Sequence, residues 1–163
     1  MSPHTEQLAE QFLHANAMLA SVAEGCSDAQ WQARTDAEGW SVGVAVHHVA
    51  DDCLDLLDVI AAIAEGRNVP EVTRESLDER NARHAWQSAS YSKTETVELL
   101  RRNAIVVADT IRHLTDGQLA RSGVVLGREA SIEQIVTVLL PGHIESHLAS
   151  IRRAIERAAA AAP

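Results

Sequence analysis

Apolar residues recur along this chain at steps of three and four, which is the spacing of one face of an α-helix. The first such stretch covers about residues 3–23 and is followed by Gly25, a residue typical of helix ends. The second covers about residues 41–65 and is followed by Gly66. Its apolar positions alternate steps of four and three without interruption: Val42, Val46, Val49, Cys53, Leu56, Ile60 and Ile63. These patterns predict two long amphipathic helices.

Further helices are marked by capping boxes, in which Ser is followed three residues later by Glu or Gln. Such boxes begin at Ser27 for a short turn, at Ser76 for a segment through Trp86, at Ser92 for a third long helix and at Ser131 for a last helix to about residue 158. Residues 115–130 are irregular, and their GVVLG stretch is expected to be a short extended segment. Since no longer stretch alternates with period two, no sheet is predicted. We therefore predict an all-α protein, a four-helix bundle with short accessory helices, formed by residues 1–163 as one domain.

Composition agrees with a soluble, cytoplasmic protein. The chain of 163 residues is 46% hydrophobic and contains no apolar run of membrane-spanning length. Its first twenty residues carry His4, Glu6 and Glu10, where a signal peptide needs a basic start and an apolar centre. Two cysteines, Cys26 and Cys53, are too few for a disulfide framework and are expected to be reduced.

The charge balance bears on possible partners. The formal net charge is -9, and the largest basic clusters are two pairs, Arg101–Arg102 and Arg152–Arg153. Such a surface repels phosphate backbones, so nucleic-acid binding is not expected. A small-molecule substrate and a homodimer are the partners that we expect.

Eight histidines are many for this length, and three of them lie on helix faces that point inward. At about 100° per residue, His48 lies about 100° from the middle of the apolar seam of the second helix, and His47 lies about 160° from it. His48 is therefore expected to reach the interior, and His47 to face water. His143 and His147 are four residues apart on an apolar face of the last helix, so both are expected to point inward.

Two histidines one helical turn apart form a good clamp for one metal ion, and a third can come from another helix. A single interior histidine is more often simply hydrogen-bonded, but three together favour a site. Three imidazoles leave a coordination position open for water or substrate, as in catalytic metal sites. Neither an HExxH nor a Glu-x-x-His motif is present, which favours a mononuclear centre. Cys53 points away from His48 and is interpreted as core.

Two strings resemble a known family. GWSVGVAVHHVADD, residues 39–52, resembles the start of the second helix in the DinB/YfiT-like superfamily of metalloenzymes, and PGHIESHLASIRRAI, residues 141–155, resembles its final H-x-x-x-H helix. The resemblance implies a four-helix bundle with a three-histidine metal site, and places the histidines at His48, His143 and His147. It implies a divalent ion, zinc or nickel, and a low-molecular-weight thiol such as mycothiol or bacillithiol as cosubstrate of an isomerase or S-transferase.

Two functions therefore stay open at this point. The first is a metal-dependent enzyme in which the ion activates a thiol or water, for S-transfer or hydrolysis. The second is a non-catalytic metal-binding module or dimeric structural module, because no general acid or base is identifiable near the histidines.

Several side chains near the three histidines have weaker assignments. Trp40 and Trp86 are expected to pack at helix ends rather than to wall a pocket. Asp52, one turn after His48, is expected to be solvated rather than to orient a ligand. Candidates for binding a substrate carboxylate are Arg80, Arg83, Arg101 and Arg102, although such residues usually cover a wet helix face.

Overall fold

The computed structural model describes residues 2–161. Its elements, in chain order, are α1 Pro3–Gly25, α2 Asp28–Gln32, α3 Val42–Ala64, α4 Arg74–Ser88, α5 Lys93–His113, α6 Asp116–Leu119, β1 Ser122–Val125, β2 Arg128–Ser131, α7 Ile132–Gln134, a π-helical turn Ile135–Leu139 and α8 Leu140–Ala160.

The four long helices α1, α3, α5 and α8 form the predicted bundle. α1 packs on α5, α5 on α3, α3 on α8 and α8 on α1, which closes a ring around one core. The largest fully buried side chains of that core are Phe12, Leu19, Ile60, Leu100, Ile111, Ile132, Ile135, Leu140, Ile144 and Ile151. Asn103 is a polar member of the interior, and its Nδ2 donates to the carbonyl of Ala50 at 2.9 Å, which ties α5 to α3. Within residues 2–161, no helix combines the length and the apolar character needed to cross a bilayer.

Most predicted helix boundaries are confirmed by the capping contacts. Capping boxes are present at Ser27, Ser92 and Ser131. α3 ends at a Schellman motif, in which Gly66 has a φ of 72° and Arg67 donates its backbone N–H to the carbonyl of Ala62 at 2.8 Å.

The predicted start of α4 at Ser76 is wrong. Thr73 is the N-cap, and its side chain accepts a hydrogen bond from the backbone N–H of Ser76. α4 therefore begins at Arg74, and its N-cap lies three residues before the predicted one. Both Thr73 and Ser76 are residues that favour N-caps, so the sequence offers two competing starts within one turn.

The expected extended segment is one arm of a β-hairpin, so the prediction of no sheet is wrong. β1 pairs with β2 in antiparallel register, with Val125 opposite Arg128. Leu126 and Gly127 between them both have positive φ, as a two-residue hairpin turn of type I′ requires. The strands have four residues each, too few to give a clear alternating pattern in the sequence.

Pro141 lies within the last helical stretch without breaking it into a loop. The chain passes from α7 through the π-helical turn directly into α8, and Pro141 occupies its first turn. Proline has no backbone N–H to donate. The wider π-helical turn before Pro141 accommodates this, because it shifts the pattern of helical hydrogen bonds by one residue. His143 and His147 therefore both belong to the first turns of α8, on one continuous helix.

Candidate metal centre

Two neighbouring helices of the bundle bring three histidines together. His48 comes from α3, and His143 and His147 come from α8. Their ring centroids are 5.3 Å apart for His48 and His143, 5.0 Å for His48 and His147, and 4.6 Å for His143 and His147. Each ring offers one nitrogen such that all three nitrogens lie within 4.8 Å of one another. The structure thus brings together the three residues that the helical angles selected.

One nitrogen of each ring is buried and lacks a hydrogen bond to any of residues 2–161. These atoms are Nδ1 of His48, Nε2 of His143 and Nδ1 of His147. Burial, reinforced by the neighbouring histidines, lowers the pKa of His48 to about 2 and that of His143 to about 4. Burial also lowers the pKa of His147. The rings are therefore neutral at physiological pH, the form in which imidazole binds metals.

Asp52 lies beside two of the three histidines, so the expectation of a solvated side chain is wrong. Its Oδ2 lies 3.3 Å from Nε2 of His48 and 3.5 Å from Nε2 of His143. Its side chain is only 18% exposed, because α4 covers it and places Arg80 3.4 Å from its other oxygen. Burial raises the pKa of Asp52 to about 6, although Arg80 opposes this effect. The positive charge of Arg80 is compensated by Asp55, which accepts a 2.6 Å hydrogen bond from it.

A second carboxylate, Glu38, lies beside the remaining histidine. Its Oε1 is 3.2 Å from Nδ1 of His147, and its Oε2 accepts a hydrogen bond from the hydroxyl of Thr35 at 2.9 Å. Glu38 precedes α3 in a turn that sequence reasoning did not examine. Asp52 and Glu38 are thus two carboxylates in contact with the triad, groups of the kind that can transfer protons.

The triad lies on the wall of an open cleft of about 490 Å³. Trp40 lines this cleft and meets the ring of His48 edge-on at 5.0 Å, so it walls the site instead of only packing at a helix end. Trp86 does neither, since 82% of it is exposed. The apolar lining comes from α3, the loop after it, α4, the hairpin and the π-helical turn: Leu56, Val59, Val69, Val72, Leu77, Val125, Leu126 and Leu139. A small organic molecule with an apolar part fits such a cleft.

His47 does not face water, contrary to the sequence prediction. It is buried, because α4 packs against that side of α3 and the ring of Tyr91 lies 4.6 Å from its own. Beside it lies His84 of α4, at 5.1 Å between ring centroids. Sequence reasoning did not examine His84. The sequence does indicate where His84 lies. Its spacing from Leu77 and Asn81, at steps of four and three, places it on the same face of α4 as these residues.

Comparison with known proteins places the chain in a family. Residues 12–140 match the sequence profile described as the mycothiol maleylpyruvate isomerase N-terminal domain. The chain belongs to this family. The match includes His48 but ends before His143 and His147. The resemblance to the DinB/YfiT-like superfamily is thereby confirmed.

A solved structure shows the same fold. YfiT from Bacillus subtilis, described as a probable metal-dependent hydrolase with an unusual four-helix bundle topology, superposes with a TM-score of 0.76. The similarity covers 96% of this chain and 89% of YfiT, at 19% sequence identity. No curated protein matches the chain. The all-α, four-helix-bundle prediction is confirmed.

The residues present fit a divalent metal ion. Buried polar atoms without partners are rare in proteins, and here each of the three rings has one nitrogen without a hydrogen bond. The three rings also each place one nitrogen within 4.8 Å of the others. Ligating histidines commonly have a carboxylate at the other ring nitrogen, and His48 has this arrangement, with Nδ1 free and Nε2 facing Asp52. At His143 and His147 the carboxylate lies beside the free nitrogen. Three nitrogen ligands with an open cleft beside them match the donor set of catalytic zinc sites.

Proposed function

We propose that this member of the mycothiol maleylpyruvate isomerase N-terminal domain family is a metal-dependent enzyme. His48, His143 and His147 would hold one divalent ion, zinc or nickel, and the cleft beside them would take a small organic substrate. The observation that carries the proposal is that His48, His143 and His147 each place one ring nitrogen within 4.8 Å of the others. One nitrogen of each ring is also buried and has no hydrogen bond within residues 2–161.

The chemistry of the site follows from the donor set and its surroundings. A divalent ion at three neutral imidazoles lowers the pKa of a thiol or water bound to it and so supplies a nucleophile at neutral pH. Asp52 would orient His48, because it contacts Nε2 while Nδ1 is the free nitrogen. Its contact with His143, and that of Glu38 with His147, are made at the nitrogens that have no hydrogen bond. Either carboxylate can take up the proton that a nucleophile releases. Arg80 holds Asp52 in place, and its charge is compensated by that residue and Asp55.

The family and the fold neighbour favour different nucleophiles. The family is named for a mycothiol-dependent isomerase, which favours a low-molecular-weight thiol and an S-transferase or isomerase reaction. YfiT is described as a hydrolase, which favours water. A cytoplasmic location and assembly as a homodimer stay predictions.

The test is turnover of small electrophiles by tag-free protein loaded with zinc or nickel, with and without an added thiol. We expect substrate loss that requires the ion and is abolished in His48→Ala and His143→Ala. His14→Ala is the matched control, because His14 is an exposed helical histidine on α1. Dependence on thiol would indicate an S-transferase or isomerase, and independence from it a hydrolase. Equal metal content in all four proteins would refute the site, and bound metal without turnover would favour the non-catalytic module.

A further inference from the structure

A second group of possible ligands lies beside the first, between α3 and α4. It consists of His47 and Asp51, one turn apart on α3, and His84 on α4. Nδ1 of His47 lies 3.4 Å from Nε2 of His84 and 3.5 Å from Oδ2 of Asp51, and Nδ1 of His84 lies 3.5 Å from the same oxygen. One donor atom from each residue can be chosen so that all three lie within 4.8 Å of one another.

These contacts are longer than typical charge-assisted hydrogen bonds. A charge-assisted bond between a nitrogen and a carboxylate oxygen is typically about 2.7–2.9 Å. In contrast, two ligands of a tetrahedral zinc ion, each bound at about 2.0–2.1 Å, are separated by about 3.3 Å. Two of the observed separations, 3.4 Å from Nδ1 of His47 to Nε2 of His84 and 3.5 Å from the same nitrogen to Oδ2 of Asp51, are close to this value. The third contact is made by the other ring nitrogen of His84.

The charge and burial of the cluster suit a cation. His47 is buried and His84 is half-buried, and an uncharged imidazole offers one nitrogen lone pair to a cation. Asp51 is partly exposed and supplies one negative charge. The positive side chain on this side of α4, Arg80, is engaged by Asp52 and Asp55.

The cluster also has a route to solvent and to the first centre. Asp51 and His84 line a cavity of about 240 Å³ that His48 and Asp52 line as well. The rings of His48 and His84 are 5.3 Å apart, so the two ligand groups are neighbours across one cavity. Paired metal centres in enzymes are commonly built from such adjacent groups.

We propose that His47, Asp51 and His84 form a second divalent cation site, adjacent to the centre of His48, His143 and His147. Two imidazoles and one carboxylate, with space for water, are a donor set typical of zinc. The site is independent of the proposed function, because it shares no ligand with the first centre. It would also link α4 to α3, since its ligands come from both helices.

The test is equilibrium dialysis of tag-free, metal-free full-length protein against Zn²⁺, with zinc counted per chain. We expect two ions for the wild type, one for His84→Phe, one for Asp51→Asn and one for His48→Ala. His84→Phe retains an aromatic ring against α3, and Asp51→Asn changes a partly exposed side chain, so both variants should fold. Circular dichroism checks this. Gln87→Ala, an exposed position on α4, is the matched control and should retain two ions.

The outcomes separate the two centres. If His84→Phe and Asp51→Asn bind as many zinc ions as the wild type, with unchanged affinity, the second site is refuted. If in addition His48→Ala loses one ion, the first centre stands alone. If the wild type binds one ion that is lost in His84→Phe but retained in His48→Ala, the second site is supported and the proposed function fails. A wild type that binds no zinc overturns both.

Discussion

Replacing Asp52 with Asn tests whether this carboxylate orients the metal ligands. The change keeps the size of the side chain but removes the negative charge that lies 3.3 Å from His48 and 3.5 Å from His143. Loss of such an outer carboxylate typically weakens metal binding about 10–100-fold. Because Asp52 contacts the nitrogen opposite the free one in His48 alone, we expect a loss within that range, about 10–100-fold, or about 1–3 kcal/mol.

The loss is expected to arise in binding and not in folding. Burial raises the pKa of Asp52 to about 6, so the folded protein disfavours the charged form of this side chain. The resulting loss of folding stability begins as the pH rises above the pKa of Asp52 in the unfolded chain. It is complete once the pH is above about 6. At pH 7.5, Asp52→Asn should therefore leave the metal-free protein at least as stable as the wild type in urea. Arg80 keeps its 2.6 Å hydrogen bond to Asp55.

The assay is competition for Zn²⁺ with a chelating dye at pH 7.5, in the His84→Phe background so that one centre is measured. Asp55→Asn is the matched control, because Asp55 also binds Arg80 but makes no ion-pair contact with a histidine among residues 2–161. Its zinc affinity should stay within about threefold of that background. The reasoning is refuted if Asp52→Asn and Asp55→Asn have the same affinity, or if Asp52→Asn binds zinc more tightly than the background.

Further predictions concern packing and thiol chemistry. A Cβ atom at Gly43 would lie 2.6 Å from the buried ring of Trp31, so Gly43→Ala should destabilise the protein by about 1–3 kcal/mol in urea unfolding. The same change at Gly142 meets no atom within 4 Å and should stabilise it by about 0.5–1 kcal/mol; equal effects would contradict the packing argument. Burial raises the pKa of Cys26, and raises that of Cys53 to about 12. Neither thiol should react with iodoacetamide at pH 8 until urea unfolds the chain, and rapid labelling of the native protein would contradict their burial.

The bundle could be predicted because its evidence is local and repeated. The apolar seam of α3 and the boxes at Ser27, Ser92 and Ser131 each fix a helix from residues a few positions apart. The hairpin was missed because four-residue strands give too short a pattern, and its turn depends on the positive φ of Leu126, a residue that carries no turn signal.

The sequence could predict only those parts of the metal centre that follow from the face of a helix on which a residue lies. His143 and His147 share a face by spacing alone, and His48 lies near the seam of its own helix. The surroundings of α3 depend instead on where α4 packs, which no periodicity within α3 reveals. For this reason Asp52 and His47 were assigned to solvent although α4 covers both. Glu38 reaches His147 from a turn, where spacing gives no direction.

The most direct test of the metal centre is an anomalous difference map from crystals of the zinc-loaded wild type, measured on both sides of the zinc absorption edge. The account predicts a peak between the rings of His48, His143 and His147, about 2.0–2.1 Å from one nitrogen of each. A zinc-loaded protein with no peak among these three rings, or with zinc bound by none of them, would contradict it.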